Sequence, residues 1–313
     1  MRDSPNTKPR GQAQSCPRPS TETTEPILLR HVAETAVIPK PEPRTHGTAA
    51  SADGTQIAWY RYGTADPAVL FIPTWNIVDA RVVGHQVAAL EPHATVVTYD
   101  PRGAGASDRP KHGYDFPQHA ADALAVMEAT GTEHAAVVTA SRGMNAAVLL
   151  ATREPQRVER LAVVAPYMQL DPSPAPTDPT RLEAWRTDWP GFIGPFMRNV
   201  FNEAHSDELI EEMIGIGLET SWEGAVRQEP ELDWAGPARL LGSVDCPTLL
   251  IHGEADAAVP LSLARGIADA IPNARVEVIP GGGHRPDIRS PELVNPLLLD
   301  FLLGSVPVNQ SRP

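Results

Sequence analysis

The stretch that decides the fold is Ala135–Asn145, with the sequence AAVVTASRGMN. Its apolar half predicts a buried strand, and the alanine- and leucine-rich residues that follow predict a helix. Ser141 lies between the two, at the apex of a sharp turn that would expose its hydroxyl at the edge of a sheet. Because strand and helix nearly touch at such a turn, small residues are favoured two positions before and after the serine. Gly143 meets this requirement, whereas Thr139 departs from it.

Two later segments repeat the pattern of a strand followed by a polar residue. The segment Pro247–Gly253 (PTLLIHG) predicts a strand, and Asp256 follows it. The segment Ala274–Pro280 (ARVEVIP) predicts another strand, which is followed by three glycines and His284. Loops that follow the strands of a parallel sheet lie at one edge, where such folds bind ligands. The order serine, aspartate, histidine along the chain also matches one known arrangement of a catalytic triad.

Each of these residues also has a purely structural interpretation. Asp256 could begin the next helix, and His284 could be a surface histidine beside flexible glycines. Glu254 and Asp171 are alternative acids, since each also follows a predicted strand. His252 is interpreted as a structural histidine at the end of a strand. Ser141 could likewise be an ordinary serine between small residues at a junction of strand and helix. It is much less expected that Ser141, Asp256 and His284 all have only structural roles in this order at three strand ends, which favours catalysis.

A glycine-rich loop and an apolar strand lie upstream of Ser141. Asp100–Ser107 reads DPRGAGAS, and Val69–Trp75 reads VLFIPTW. With the segments above, they resemble the α/β-hydrolase family over about 47–303: the first is similar to the family's D-x-R-G-x-G-x-S loop, and the second to its third strand and oxyanion loop. The family commonly has His-Gly where this chain has Pro73-Thr74, and the Pro-Thr-Trp form resembles a bacterial subgroup of hydrolase-like domains.

The resemblance implies a serine nucleophile within a catalytic triad. Ser141 would attack, His284 would take its proton, and Asp256 would orient the imidazole. The backbone N–H groups of Trp75 and Arg142 would bind the oxyanion. No cofactor and no metal are expected, because no Cys/His cluster has the spacing of a metal site.

Several charged residues flank these motifs. Arg142 and Arg285 follow the nucleophile and the base, and they are interpreted as solvent-facing side chains or as contacts for an acidic substrate group. Arg102 and Asp108 are expected to hold the glycine-rich loop. That loop is not a nucleotide site, because Pro110–Gly113 separates it from the next helix.

Strand and helix patterns alternate from Thr45 to about Pro166 and resume after about Asp245. The predicted fold class is α/β, with a mainly parallel, doubly wound sheet (an α/β-hydrolase fold), an antiparallel edge hairpin at Asp53-Gly54 and an inserted helical cap. The predicted organisation is an N-terminal extension at 1–45, a core at 46–166 and 246–305, and a cap at 167–245.

The predicted cap is rich in aromatic residues, and it contains four of the six tryptophans of the chain. In the family, an insertion at this position covers the active site. The candidate substrate pocket consists of Asn76, Trp189, Phe192 and Phe196. The alternative is that these side chains only pack the cap helices together, as most large apolar side chains do.

Composition excludes several classes of function. The chain has 313 residues, 39 acidic against 26 basic, and a net charge of −13, which argues against nucleic acid and anionic membranes as partners. The two cysteines, Cys16 and Cys246, do not form a disulfide framework, so a reducing, cytoplasmic location is expected. The extension at 1–45 lacks the apolar core of a secretory signal and is expected to be disordered or loosely docked, with one possible short helix at 26–37.

The resulting hypothesis is a cofactor-independent serine hydrolase that cleaves an ester-type bond of a small to medium apolar substrate. One alternative is a catalyst of the same fold that does not hydrolyse, such as an acyltransferase or a cyclase. A less favoured alternative is a catalytically silent module that binds or senses a ligand. The expected partner is a small molecule, and the sequence leaves its identity, the oligomeric state and the pathway open.

Overall fold

The computed structural model describes Met1 and residues 37–171 and 178–304, in which strands alternate with helices. The strands are β1 (Thr45–Ala50), β2 (Gln56–Tyr62), β3 (Ala68–Phe71), β4 (Thr95–Tyr99), β5 (Ala135–Ala140), β6 (Val158–Val164), β7 (Thr248–Gly253) and β8 (Ala274–Ile279). The helices are α1 (Gly84–Leu90), α2 (Phe116–Ala129), α3 (Met144–Arg153), α4 (Pro179–Thr187), α5 (Trp189–Val200), α6 (Asp207–Glu219), α7 (Trp222–Glu231), α8 (Leu261–Ala270), α9 (Pro286–Arg289) and α10 (Pro291–Leu303).

The strands form one eight-stranded sheet in the order β1-β2-β4-β3-β5-β6-β7-β8. β2 pairs antiparallel with β1 and β4, and the other neighbouring strands are parallel. Gly54, with φ 86°, lies in the turn of the β1–β2 hairpin, where the sequence predicts it. All residues of β5 and β7 are buried, as parallel strands covered on both faces require.

Helices cover both faces of the sheet. On one face, α2, α3 and α8 contribute buried side chains such as Met127, Leu150 and Ile267. On the other face, α1 and α10 contribute side chains such as Leu90 and Leu298. The predicted doubly wound α/β sheet is therefore confirmed. Since β3, β5, β7 and β8 run parallel, the loops that follow them lie at one edge of the sheet.

The insertion between β6 and β7 contains α4 to α7, and none of its described residues forms a strand. These helices pack around a third apolar cluster, which joins Ile193 and Met213 of the insertion to Ile77 and Ile288 of the body. The last part of the predicted cap behaves differently. The 3₁₀ segment Pro237–Ser243 returns to the body, where its Leu241 lies in the main core.

The end of the predicted extension contacts the body and the insertion. Ile38 is buried, and its backbone N–H donates to Glu212 of α6 at 3.2 Å. Arg44 extends the edge hairpin, because its N–H donates to the carbonyl of Arg61 at 2.8 Å. The helix predicted at 26–37 lies outside the described residues, apart from Val37. Within the described parts of the chain, no helix has the length and apolar character needed to cross a membrane.

Candidate active site

Ser141 lies at the strained turn between β5 and α3. Its φ is 50°, a left-handed conformation that is uncommon for residues other than glycine and that marks the nucleophile turn of such folds. Gly143 makes the turn possible. A Cβ atom at this position would lie 2.2 Å from Thr139 Oγ1 and 2.5 Å from the carbonyl oxygen of Pro73, so a larger residue does not fit.

Thr139 occupies the position where a smaller residue is expected, and its hydroxyl explains how it fits. Oγ1 donates to the backbone carbonyl of Ile72 at 2.9 Å, next to the end of β3. The side chain is buried, so this hydrogen bond satisfies a hydroxyl that would otherwise cost stability. Thr139 thereby ties the nucleophile turn to the loop that begins at Pro73.

His284 follows β8 and contacts both other candidate residues. Its Nε2 lies 3.0 Å from Ser141 Oγ, and its Nδ1 lies 2.8 Å from Asp256 Oδ2. The loop of His284 packs directly on the end of β7, where a Cβ at Gly253 would lie 2.1 Å from the carbonyl oxygen of Gly283. The structure therefore brings together the three side chains that the sequence analysis selects, in one hydrogen-bonded line.

Asp256 is held as a carboxylate by its neighbours. Its Oδ1 accepts the N–H groups of Ala258 and Val259, each at 2.8 Å. Burial alone would raise the pKa of Asp256, but the hydrogen bond and charge of His284, together with these N–H groups, lower it below its usual value. The alternative acid Glu254 has another role, because it accepts the N–H of Gly281 at 3.1 Å.

His252 is a second histidine beside the same carboxylate. It is fully buried, and its Nε2 lies 3.0 Å from the carbonyl oxygen of Val259 and 3.4 Å from Asp256 Oδ2. A carbonyl only accepts hydrogen bonds, so this nitrogen carries the proton. Burial lowers the pKa of His252 and favours the neutral ring. The structural role that the sequence suggests for His252 therefore includes fixing the loop that carries Asp256.

A cavity of about 210 Å³ lies over Ser141 and His284. Trp75 and Arg142, the two residues expected to supply oxyanion donors, line this same cavity. Its other walls are mostly apolar and come from the loop after β3, from the cap and from the loop after β7. They include Ile77, Val78, Phe196, Met197, Val200, Phe201 and Met213.

Of the four predicted pocket residues, Phe196 lines the cavity and the other three do not. Phe192 lies behind it, with its ring centroid 5.4 Å from that of Phe196. Trp189 is buried among the cap helices, and its Nε1 donates to the carbonyl of Gly217 at 3.2 Å. Asn76 is fully buried beside another cavity, of about 20 Å³. The size of the three aromatic side chains and their positions in the sequence predict an apolar layer, but they do not predict which of the side chains line the cavity.

Both arginines next to the motifs make internal ion pairs. Arg142 Nη1 lies 2.9 Å from Oε1 of Glu229 in α7. Arg285 binds both carboxylate oxygens of Asp287, at 2.9 and 2.7 Å. The interpretation of these side chains as solvent-facing is wrong, because the side chains of Arg142 and Arg285 are only 15% and 6% exposed.

Comparisons with known proteins agree with this fold. The family model described as alpha/beta hydrolase fold matches residues 67–212, and a model described as TAP-like protein matches 226–312. A relative from Synechocystis sp., named "Putative non-heme chloroperoxidase", is 32% identical in an alignment that covers 66% of this chain and 80% of the relative. A Caulobacter sp. relative, named "Putative carbamate hydrolase RutD", is 31% identical over 70% of this chain and 84% of the relative.

The chain belongs to the α/β-hydrolase family. Among solved structures, an esterase from Exiguobacterium antarcticum superposes with a TM-score of 0.75, at 21% identity, over 83% of this chain and 100% of that chain. At this identity, the likeness concerns the fold. As an α/β hydrolase, the protein is an enzyme.

Sequence reasoning missed two features of this α/β hydrolase. The sequence pattern treats Thr139 only as a departure from the small residue favoured there, although its hydroxyl can donate to a backbone carbonyl beside the neighbouring strand. The sequence does not single out Glu229, because one of three glutamates in a helix has no distinguishing pattern. The contact of Glu229 with Arg142 spans 87 positions, and no local signal in the sequence encodes it.

Proposed function

We propose that the protein is a cofactor-independent, cytoplasmic serine hydrolase that cleaves an ester bond of a small to medium apolar substrate. The observation that carries the proposal is the line from Ser141 Oγ to His284 Nε2 at 3.0 Å and from Nδ1 to Asp256 Oδ2 at 2.8 Å. A serine hydroxyl is a poor nucleophile until a base accepts its proton, and this arrangement supplies that base together with its orienting acid.

In the proposed mechanism, Ser141 Oγ attacks the ester carbonyl while His284 Nε2 takes the hydroxyl proton. The negative charge on the carbonyl oxygen is bound by the backbone N–H groups of Trp75 and Arg142. The intermediate collapses, and the protonated His284 gives its proton to the departing alcohol. Water then repeats the attack on the acyl-serine with His284 as base, which releases the carboxylic acid and restores the serine.

The size and lining of the cavity support the substrate class. A volume of about 210 Å³ is below the range of roughly 300–1,000 Å³ that is usual for drug-sized ligands. Apolar walls such as Phe196, Met197 and Met213 favour alkyl or aryl groups and exclude water from the reacting atoms. We therefore expect short acyl esters to be cleaved better than long, charged or polymeric ones.

The test is labelling of the purified protein with a fluorophosphonate, followed by hydrolysis of p-nitrophenyl esters of increasing acyl length. We expect a single label on Ser141, absent in Ser141→Ala and retained in Ser262→Ala, a control at an exposed serine of α8. An unlabelled wild-type protein that still binds apolar esters would overturn the hydrolase proposal in favour of a binding module.

Acyl transfer and ring closure are the competing reactions, since a water-excluding cap suits them equally well. A partition experiment separates them from hydrolysis. The acyl-enzyme is formed from an activated ester and is then offered water with and without millimolar alcohol or amine. The proposal requires the free acid to be the main product in both cases, and a main product that carries the added nucleophile contradicts it.

A further inference from the structure

The two ends of Arg142 lie in different parts of the molecule. Its backbone follows Ser141 directly, where its N–H is one of the proposed oxyanion donors. Its side chain reaches into the cap, where Nη1 lies 2.9 Å from Oε1 of Glu229. The two side chains are only 15% and 4% exposed, so water screens their attraction weakly.

The guanidinium of Arg142 also contacts the second proposed oxyanion residue. It lies 3.8 Å from the ring centroid of Trp75 and 4.9 Å from that of Trp234. Stacking of a guanidinium on an indole is favourable, particularly away from water. Trp75 is in turn packed by the cap, with its ring centroid 5.4 Å from that of Phe196. One side chain therefore links both oxyanion residues to each other and to the cap.

Each carboxylate oxygen of Glu229 has an arginine partner. Its Oε1 binds Arg142, and its Oε2 binds Nη2 of Arg181 in α4 at 2.8 Å. Burial lowers the pKa of Arg142, and the charge of Glu229 opposes that shift. If Glu229 lost its charge, Arg142 would be a nearly buried cation without a counterion, and a different side-chain position would become favourable.

We propose that Glu229 is a positioning residue of the oxyanion hole, which it holds in place through the guanidinium of Arg142. Glu229 contacts none of the reacting atoms. It holds the side chain of Arg142, the residue whose backbone N–H binds the oxyanion. Because Glu229 belongs to the cap, both oxyanion donors are aligned only while the cap is docked. The inference rests on the proposed serine hydrolase mechanism and adds the cap to its catalytic geometry.

Small displacements are enough to produce a measurable effect. Misplacement of a reacting group by about 1 Å costs on the order of a hundredfold in rate. Glu229→Gln keeps the size of the side chain and removes its charge. We therefore expect it to lower kcat and the rate constant of fluorophosphonate labelling of Ser141 by roughly ten- to a hundredfold, with a smaller change in KM. The matched control is Glu211→Gln, which removes the exposed pair of Glu211 with Arg198 on the cap surface and leaves both rates unchanged.

A double variant separates positioning from a purely structural role. Arg142→Met with Glu229→Met removes both buried charges, and replacing a buried ion pair by apolar side chains is often neutral or stabilising. We expect its Tm to return towards the wild-type value, above that of Glu229→Gln, while kcat and labelling stay slow. Recovery of both Tm and labelling in the double variant would overturn the positioning role.

The outcome is distinguishable from failure of the proposed function. A wild-type protein that no fluorophosphonate labels contradicts the serine hydrolase itself and the inference with it. Equal labelling rates of the wild type and Glu229→Gln, with Ser141 as the labelled residue in both, contradict only the role of Glu229.

Discussion

The edge of the sheet that carries Ser141 and the cap that covers it hold their side chains by different means. At the edge, backbone segments touch: Gly143 and Gly253 allow contacts that no Cβ permits, and Ser141 adopts a left-handed φ. In the cap, aromatic rings pack on one another, and Glu229 forms ion pairs with the guanidinium groups of Arg142 and Arg181. Backbone contacts between strand ends fix atomic positions directly, whereas positions in the cap depend on the packing of side chains from several helices. We therefore propose that the edge carries the reacting groups and that the cap sets the selectivity.

The largest effect is expected at the edge. Ser141→Ala should lower kcat on a short aryl ester on the order of 10⁶-fold, since removing a triad nucleophile in a comparable enzyme costs about that much. His284→Ala should behave alike. Circular dichroism and thermal unfolding should show folded proteins. Turnover that survives Ser141→Ala would place the chemistry elsewhere, and the edge would then be a structural feature.

Asp256→Asn tests the proposed acid of the triad at the same edge of the sheet. An amide in place of the carboxylate favours the wrong histidine tautomer, so kcat should fall by roughly 10⁴-fold while the fold persists. Asp171→Asn, at the alternative acid beyond β6, is the matched control and should retain most activity. A more severe loss for Asp171→Asn than for Asp256→Asn would reassign the acid.

Two aromatic variants sharpen the comparison inside the cap. Trp189 is buried and donates to Gly217, so Trp189→Ala should lower the free energy of unfolding by about 3–5 kcal/mol. Phe196 lines the cavity, so Phe196→Ala should change the preference among acyl lengths, by about tenfold in kcat/KM, with less loss of stability. Denaturant unfolding and a p-nitrophenyl ester series measure the two effects. Equal losses of stability with no change of preference for Phe196→Ala would place the substrate outside this cavity.

Acid should weaken the contact between the body and the cap. His119 of α2 lies 3.0 Å from Gln228 of α7, and burial lowers the pKa of His119 from 6.5 to about 4. Between those values the unfolded chain binds the proton and the folded chain does not, so stability falls as the pH is lowered. The slope from this residue is about 1.4 kcal/mol per pH unit. Asp256 stays ionised in this window because its pKa is lowered.

Unfolding by urea at several pH values measures this slope in the wild type, in His119→Gln and in His93→Gln, a control at an exposed histidine. His119→Gln should reduce the pH dependence, and His93→Gln should not. Identical slopes in all three proteins would show that the contact between α2 and α7 does not sense acid.

Sequence reasoning succeeded where a local pattern repeats along the chain. Alternating strand and helix periods predicted the doubly wound sheet, and a polar residue after each of three strands predicted which side chains would meet. Sequence reasoning failed where the same pattern of large apolar side chains is compatible both with a pocket wall and with packing between helices. Trp189, Phe192 and Phe196 are all large and apolar in the same helix, yet only Phe196 lines the cavity, because its orientation depends on the packing of helices far apart in sequence.

By itself, the sequence determined the α/β fold, the order of its strands and helices along the chain, and the selection of Ser141, Asp256 and His284. The fold follows from hydrophobic periodicity and from turn chemistry, which act over a few residues, and the choice of the three side chains also rests on the resemblance to the α/β-hydrolase family. The tertiary structure alone decided the partner of Arg142, the hydrogen bond of Thr139 and the walls of the cavity. Such contacts join residues that are distant in sequence, and they form only when the close packing of the interior brings the two groups together.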